Sequence, residues 1–269
     1  MLSPALIAGL LLLGSGAGFL AGLLGIGGGM ILVPFIVLLL EHQGFPPALL
    51  VKIAVATSLA TILFTSVSSV RAHHARGAVR WKVVGGLAPG IVAGSLLGAQ
   101  VAGALPAGLL TLVFAGFVGY SATQMLVDRK PQPGRQLPGT AGLLGMGGVI
   151  GGVSALVGAG GAFLSVPFMT WCNLSIHLAV GTAAALGFPI ALAGTAGYML
   201  AGQHLDGLPP GLLGYVYLPA LAVIATASML TAPLGARVSH ALDVAQLRRV
   251  FALLLYGVAG WMLWRAVRH

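Results

Sequence analysis

Twice in this chain a run of glycines interrupts an apolar segment too long to cross a membrane once. The first reads Gly22-Leu-Leu-Gly25-Ile-Gly27-Gly28-Gly29-Met-Ile-Leu-Val33-Pro34-Phe35, and the second Ala155-Leu-Val-Gly158-Ala-Gly160-Gly161-Ala162-Phe-Leu-Ser-Val166-Pro167-Phe168. As one straight helix, residues 4–40 would extend about 55 Å, against a hydrocarbon core of about 30 Å. Glycine lacks a Cβ and accepts backbone angles that end a helix. Each long segment is therefore expected to be two shorter helices folded back at or beside the glycines. Duplicated breaks in apolar sequence are the pattern of transporters whose interrupted helices line the substrate path.

The solvent these segments face follows from the charges. Of 269 residues, 58% are hydrophobic and only 6% charged, where a soluble domain carries roughly 25% charged residues. So few charges cannot cover a soluble surface, and the bilayer is the expected partner. The 42 glycines exceed the ~7% share of ordinary chains and suit close helix packing in lipid. A net charge of +9 does not point to nucleic acid, because the basic residues sit in short loops where membrane orientation accounts for them. The single cysteine, Cys172, allows no intrachain disulfide. The start, Met1-Leu-Ser-Pro4, has no basic stretch, so it reads as a first membrane segment and not as a cleaved signal peptide.

Besides the long segments at 4–40 and 138–172, candidate spans cover 48–70, 83–103, 105–127, 176–201, 211–236 and 244–266. The polar stretch Asp128-Arg-Lys-Pro-Gln-Pro-Gly-Arg135 divides the chain. It gives an N-terminal membrane repeat (1–127), a cytoplasmic linker (128–139) and a C-terminal membrane repeat (140–269). The halves match in order. Val33-Pro-Phe matches Val166-Pro-Phe, Ala54-Val-Ala-Thr57 matches Ala179-Val-Gly-Thr182, and Ala104-Leu-Pro…Val113-Phe-Ala matches Ala241-Leu-Asp…Val250-Phe-Ala. A hairpin starts and ends on one side of the membrane. A hairpin plus three spans crosses an odd number of times, so the two repeats are expected to be inverted. With the 71–82 loop cytoplasmic, this arrangement leaves only Lys52, Arg265 and Arg268 outside among the basic residues. A parallel eight-span arrangement does nearly as well by charge. The 202–210 loop, free of Lys and Arg, favours inversion.

A helix restarting at each break exposes backbone N–H groups without intrahelical partners, at the positive end of the helix dipole. Together these bind a small anion without a charged side chain. The candidate substrate-binding residues are Gly25, Gly27, Gly28 and Gly29 in the first half and Gly158, Gly160 and Gly161 in the second. Hydroxyls of Thr57, Ser58 and Thr182 join them, at repeat-matched positions on the following helix. Ser66, Ser68, Ser69 and Thr195 are weaker candidates. Gly86, Gly90, Gly94 and Gly98, spaced by four, read as a packing face, and Pro34 and Pro167 as kinks. The four carboxylates, Glu41, Asp128, Asp206 and Asp243, lie at segment ends or in loops. No acid pair for hydrolysis, no metal cage and no cofactor are expected. Lys52 and His177 hold matched places at a helix start, read first as interface residues and second as vestibule charges. His73 and His74 read as solvated, Cys172 as an apolar filler. An intramembrane serine protease is disfavoured: Ser154 matches Ala21, and no histidine accompanies it.

At these residues the chain resembles the sulfite exporter TauE/SafE family, over nearly its whole length. The likeness rests on Gly22-Leu-Leu-Gly-Ile-Gly-Gly-Gly-Met…Val-Pro, its degenerate copy at 155–168, Ala-Val-Gly-Thr182 and the run Leu247-Arg-Arg-Val-Phe-Ala-Leu-Leu. It implies an all-α, multi-pass transporter of a bacterial inner membrane. It also implies small sulfur-containing anions, such as sulfite or organosulfonates like sulfoacetate, as substrates. Ala162 stands where the first copy has Gly29, and Ala183 where it has Ser58, which implies an asymmetric site. The reading is an exporter working by alternating access, not an enzyme, and it admits a homodimer. The alternatives are a passive anion channel and a non-transporting membrane assembly or scaffold protein.

Overall fold

The computed structural model describes residues 4–24, 29–127, 134, 136–203, 210–238 and 244–268. Among the described residues ten helices carry the fold: α1 (Pro4–Leu24), α2 (Gly29–His42), α3 (Pro47–Ala75), α4 (Trp81–Ala104), α5 (Ala107–Val127), α6 (Thr140–Val157), α7 (Ala162–Trp171), α8 (Ile176–Ala201), α9 (Leu218–Val238) and α10 (Val244–Arg268). Six of the described helices (α3, α4, α5, α6, α8 and the Arg249–Val267 part of α10) are long and apolar enough to cross a membrane. Their outward faces are apolar, with Leu97, Leu112, Leu192 and Leu253 exposed, as a lipid solvent requires.

Local sequence explains the boundaries. Pro47 opens α3, where its missing N–H costs nothing. α4 stops at Leu105, in extended backbone before Pro106, because the residue before proline avoids helical angles. Both long apolar segments divide at their glycines, and both fold back. A Cβ on Gly9 would lie 2.9 Å from Leu39 Cδ2, so the start of α1 lies against the end of α2. In the second half Gly134 N donates to Trp171 O at 3.4 Å, which joins the residues before α6 to the end of α7.

One expected span is shorter than the sequence suggests. Residues 211–236 read as continuous helix, but α9 begins only at Leu218. Before it a two-stranded hairpin, β1 (Leu212–Leu213) and β2 (Val216–Tyr217), pairs Leu212 with Tyr217 and Leu213 with Val216. Gly214, at φ +56°, takes the left-handed conformation in the turn, and Gly211, at φ +92°, bends the chain into the first strand. Tyr215, Val216 and Tyr217 are buried, so the second strand and the residue before it serve packing.

The most extensive helix contacts join the two halves of the chain: α4 runs along α6, α1 along α9, α5 along α10, and α3 crosses α8. Glycine makes the closest of these approaches. A Cβ on Gly90 would lie 2.0 Å from Leu144 O, one on Gly94 2.1 Å from Gly148 O, and one on Gly98 2.6 Å from Gly152 O. The spaced glycines of α4 are thus a backbone-to-backbone seam. Along it the numbering rises on both helices, so α4 and α6 are parallel. α1 and α9 are parallel too, since Gly14 faces Ile224 and Gly18 faces Ser228. α3 and α8, which carry the matched Ala-Val-x-Thr, are antiparallel: Leu59 meets Gly194, and Ser66 lies beside Gly187. An ion pair between Arg265 and Glu41 fastens α10 to the end of α2.

Candidate functional site

The second break is built by two left-handed glycines. Gly158 (φ +66°) ends α6, its N–H returning to Ser154 O, and Ala159 N donates to the same carbonyl at 3.1 Å. Gly161 (φ +77°) opens α7, and its carbonyl accepts from Ser165 N at 2.9 Å and Leu164 N at 3.1 Å. Among the described residues the N–H groups of Gly160, Gly161, Ala162 and Phe163 have no acceptor. They form the unsatisfied first turn of a helix, buried with the rest of the break. Ser165 Oγ, one turn into α7, is buried and has no partner among the described residues.

The first break meets the second. Gly25, Gly27 and Gly28 lie outside the described residues, but Gly29, at the start of α2, packs directly on the other half. A Cβ on Gly29 would lie 2.2 Å from Gly158 O. Ser58 joins the two: its Oγ is 3.0 Å from Gly158 O and 3.3 Å from Gly29 O, the hydroxyl donating. Val33, of the first Val-Pro-Phe, abuts Gly158, and Ile62 of α3 abuts both Gly29 and Gly160. Gly29, Ser58, Gly158, Gly160 and Gly161 therefore form one cluster at the crossing of α3 and α8. Nothing in the sequence singled out Ile62 or Gly187, whose missing side chain leaves room for Gly160 O at 3.7 Å.

Thr57 and Thr182 do not donate into this cluster. Both are fully buried, and each accepts a backbone N–H: Tyr217 N reaches Thr57 Oγ1 at 3.1 Å, and Arg80 N reaches Thr182 Oγ1 at 3.0 Å. Tyr217 precedes α9 and Arg80 precedes α4, so the matched threonines fasten matched helix starts across the halves. Of the weaker candidates, Ser66 and Ser68 donate within their own helix, and Thr195 Oγ1 is buried and has no partner among the described residues. A cavity about the size of one water molecule adjoins the first break, bordered by Ala17, Gly18, Thr61, Ile62, Thr65 and Ser228. The described residues contain no group of His, Cys, Asp and Glu able to hold a metal ion. Cys172 is buried. His177 is exposed, whereas its match Lys52 is 9% exposed.

Interrupted helices from two halves, meeting inside a body of membrane-length helices, define a multi-pass membrane transporter. The model of the sulfite exporter TauE/SafE family matches residues 10–262, and the chain belongs to that family. It is 37% identical to a probable membrane transporter protein of Haemophilus influenzae, over 93% of this chain and 95% of that one. It is 31% identical to the probable membrane transporter protein YdhB of Bacillus subtilis, over 69% of this chain and 76% of that one. The probable membrane transporter protein MJ0441 of Methanocaldococcus jannaschii is 24% identical, over 93% of this chain and 92% of that one. No solved structure matches the chain.

Proposed function

We propose that this transporter exports small sulfur-containing anions, sulfite or organosulfonates such as sulfoacetate, across a bacterial inner membrane. The anion is held where the two glycine breaks meet. The observation that carries the reading is the set of N–H groups from Gly160 to Phe163, buried beside Gly29 and Ser58 and, among the described residues, without acceptors. Oriented N–H groups at a helix start hold an oxyanion by dipole and hydrogen bonds. Among the described residues no basic side chain bonds to the break, which fits an anion that must also be released.

In this proposal the halves are inverted repeats. The antiparallel α3 and α8 support it, since helices matched in sequence would cross the bilayer in opposite directions. So does the exchange of partners, with α4 on α6 answered by α9 on α1. Alternating exposure of the central site then follows from one half rocking against the other. Sulfite rests on the family's own description, and the organosulfonates on the sequence resemblance alone. The test is efflux from proteoliposomes loaded with labelled sulfite, sulfoacetate, taurine, sulfate or a carboxylate analogue. Saturable efflux confined to the sulfur oxyanions supports the reading. Equal, non-saturating flux of all five points to a channel, and no flux of any points to a scaffold.

A further inference from the structure

A buried lysine lies one helical turn before Val55, which packs on Gly158 of the second break. Lys52, near the start of α3, is nine-tenths buried. Its Nζ donates to Gly103 O at 2.6 Å, in the last turn of α4. It also stands 5.7 Å from the centre of the Tyr215 ring. Gly103 is pressed into the same corner: a Cβ there would lie 2.8 Å from Ala201 Cβ, at the end of α8, and 3.7 Å from Tyr215 Cε2. The corner thus gathers α3, the ends of α4 and α8, and the hairpin before α9.

Among the described residues no carboxylate pairs with Lys52. An ammonium has three donors, and Gly103 O takes one. Glu41, a described carboxylate, is engaged with Arg265. Burial pushes the Tyr215 phenol above its ordinary range, so it stays neutral and supplies no negative charge. The end of α4 offers only the partial charge of a helix terminus. Ionisable residues inside membrane proteins commonly line ion paths. The distance to the break is short: Val55, on the next turn of α3, packs its backbone 3.2 Å from the Cβ position of Gly158. From the other side Tyr198 donates to Ala155 O at 3.0 Å, just before the break, and sets its ring edge-on to Tyr215.

We propose that Lys52 is a second subsite for a small oxyanion, at the end of the pathway closed by Tyr215 and the 212–217 hairpin. An arriving or departing oxyanion takes the free ammonium donors and displaces Gly103 O. The proposal rests on the transport reading for the direction of passage, but not for the binding itself. Because the matched His177 is exposed, the subsite exists at one end only.

The test uses the purified full chain, with sulfite and sulfate as probes and sodium chloride at equal ionic strength as the control. Thermal unfolding against concentration gives an apparent affinity. Lys52→Arg should keep it, and Lys52→Gln should weaken it ~10-fold or more, the scale of a charge-assisted hydrogen bond. An unchanged affinity in Lys52→Gln overturns the proposal, even if the ligand-free unfolding temperature falls, because that fall alone describes a helix-end contact. A chloride shift equal to the sulfite shift, or no oxyanion shift in the unmodified protein, overturns it too. If Lys52→Gln does not fold, acylation of Lys52 in the unmodified protein decides: sulfite must slow it, and unslowed acylation overturns the subsite. Transport and subsite fail separately, since saturable efflux with a normal Lys52→Gln affinity removes only the subsite. Oxyanion binding that depends on Lys52 without any efflux removes only the transport reading.

Discussion

At the scale of the residue, the break glycines do different work. Gly158 and Gly161 hold left-handed backbone, which costs a residue with a Cβ roughly 1–2 kcal/mol. Alanine at Gly161 also puts its methyl 2.4 Å from Ile190 Cδ1, the movable tip of a side chain. Gly161→Ala is expected to fold, to elute as one species, and to lose most transport per folded molecule as its N–H groups turn away. Gly29→Ala meets a backbone carbonyl, Gly158 O at 2.2 Å, which cannot yield without parting the two breaks. It should lose folded yield as well as flux. Ser58→Ala removes the donor shared by two carbonyls and should lower stability by about 1–3 kcal/mol, read from thermal unfolding. The glycine cluster was legible because its two copies align. That Gly29 would rest on Gly158 O, and that Ser58 would bridge them, was not: these contacts join residues of opposite halves, and no local pattern encodes them.

At the scale of the element, the seams between helices set stability. Gly90→Ala drives a methyl to within 2.0 Å of Leu144 O, separating α4 from α6. It should lower the unfolding temperature while leaving flux per folded molecule less affected than Gly161→Ala does. Thr57→Val leaves the buried N–H of Tyr217 without its acceptor, and Thr182→Val the part-buried N–H of Arg80. Each should destabilise the protein by about 1–3 kcal/mol, measured by thermal or denaturant unfolding. A loss of anion binding with stability unchanged would instead show the hydroxyls acting on the ligand. The four-residue spacing of Gly86, Gly90, Gly94 and Gly98 announced a packing face, but a spacing names no partner. The 212–217 hairpin escaped because Leu-Leu and Tyr-Val-Tyr are as apolar as a span. Only Gly211 and Gly214 hinted at turns. The threonines matched in sequence because their bonds match in the structure, a reason the repeat alone could not supply.

At the scale of the whole molecule, length and charge sparsity were enough for an all-α membrane protein, and the broken helices were enough for two hairpins. How the halves interlock depends on contacts of high sequence separation, and only the folded chain shows them. If the repeats are inverted, reporter fusions within 128–139 and after Arg268 will lie on opposite sides of the membrane, the linker inside and the C-terminus outside. Finding both inside would contradict inversion. The central claim, that an oxyanion is carried at the meeting of the two glycine breaks, is tested most directly by counterflow in proteoliposomes, with labelled sulfite or sulfoacetate outside and unlabelled anion inside. The account predicts saturable, trans-stimulated exchange that Gly161→Ala abolishes and Gly90→Ala retains per folded molecule. Exchange that proceeds normally in folded Gly161→Ala would contradict it.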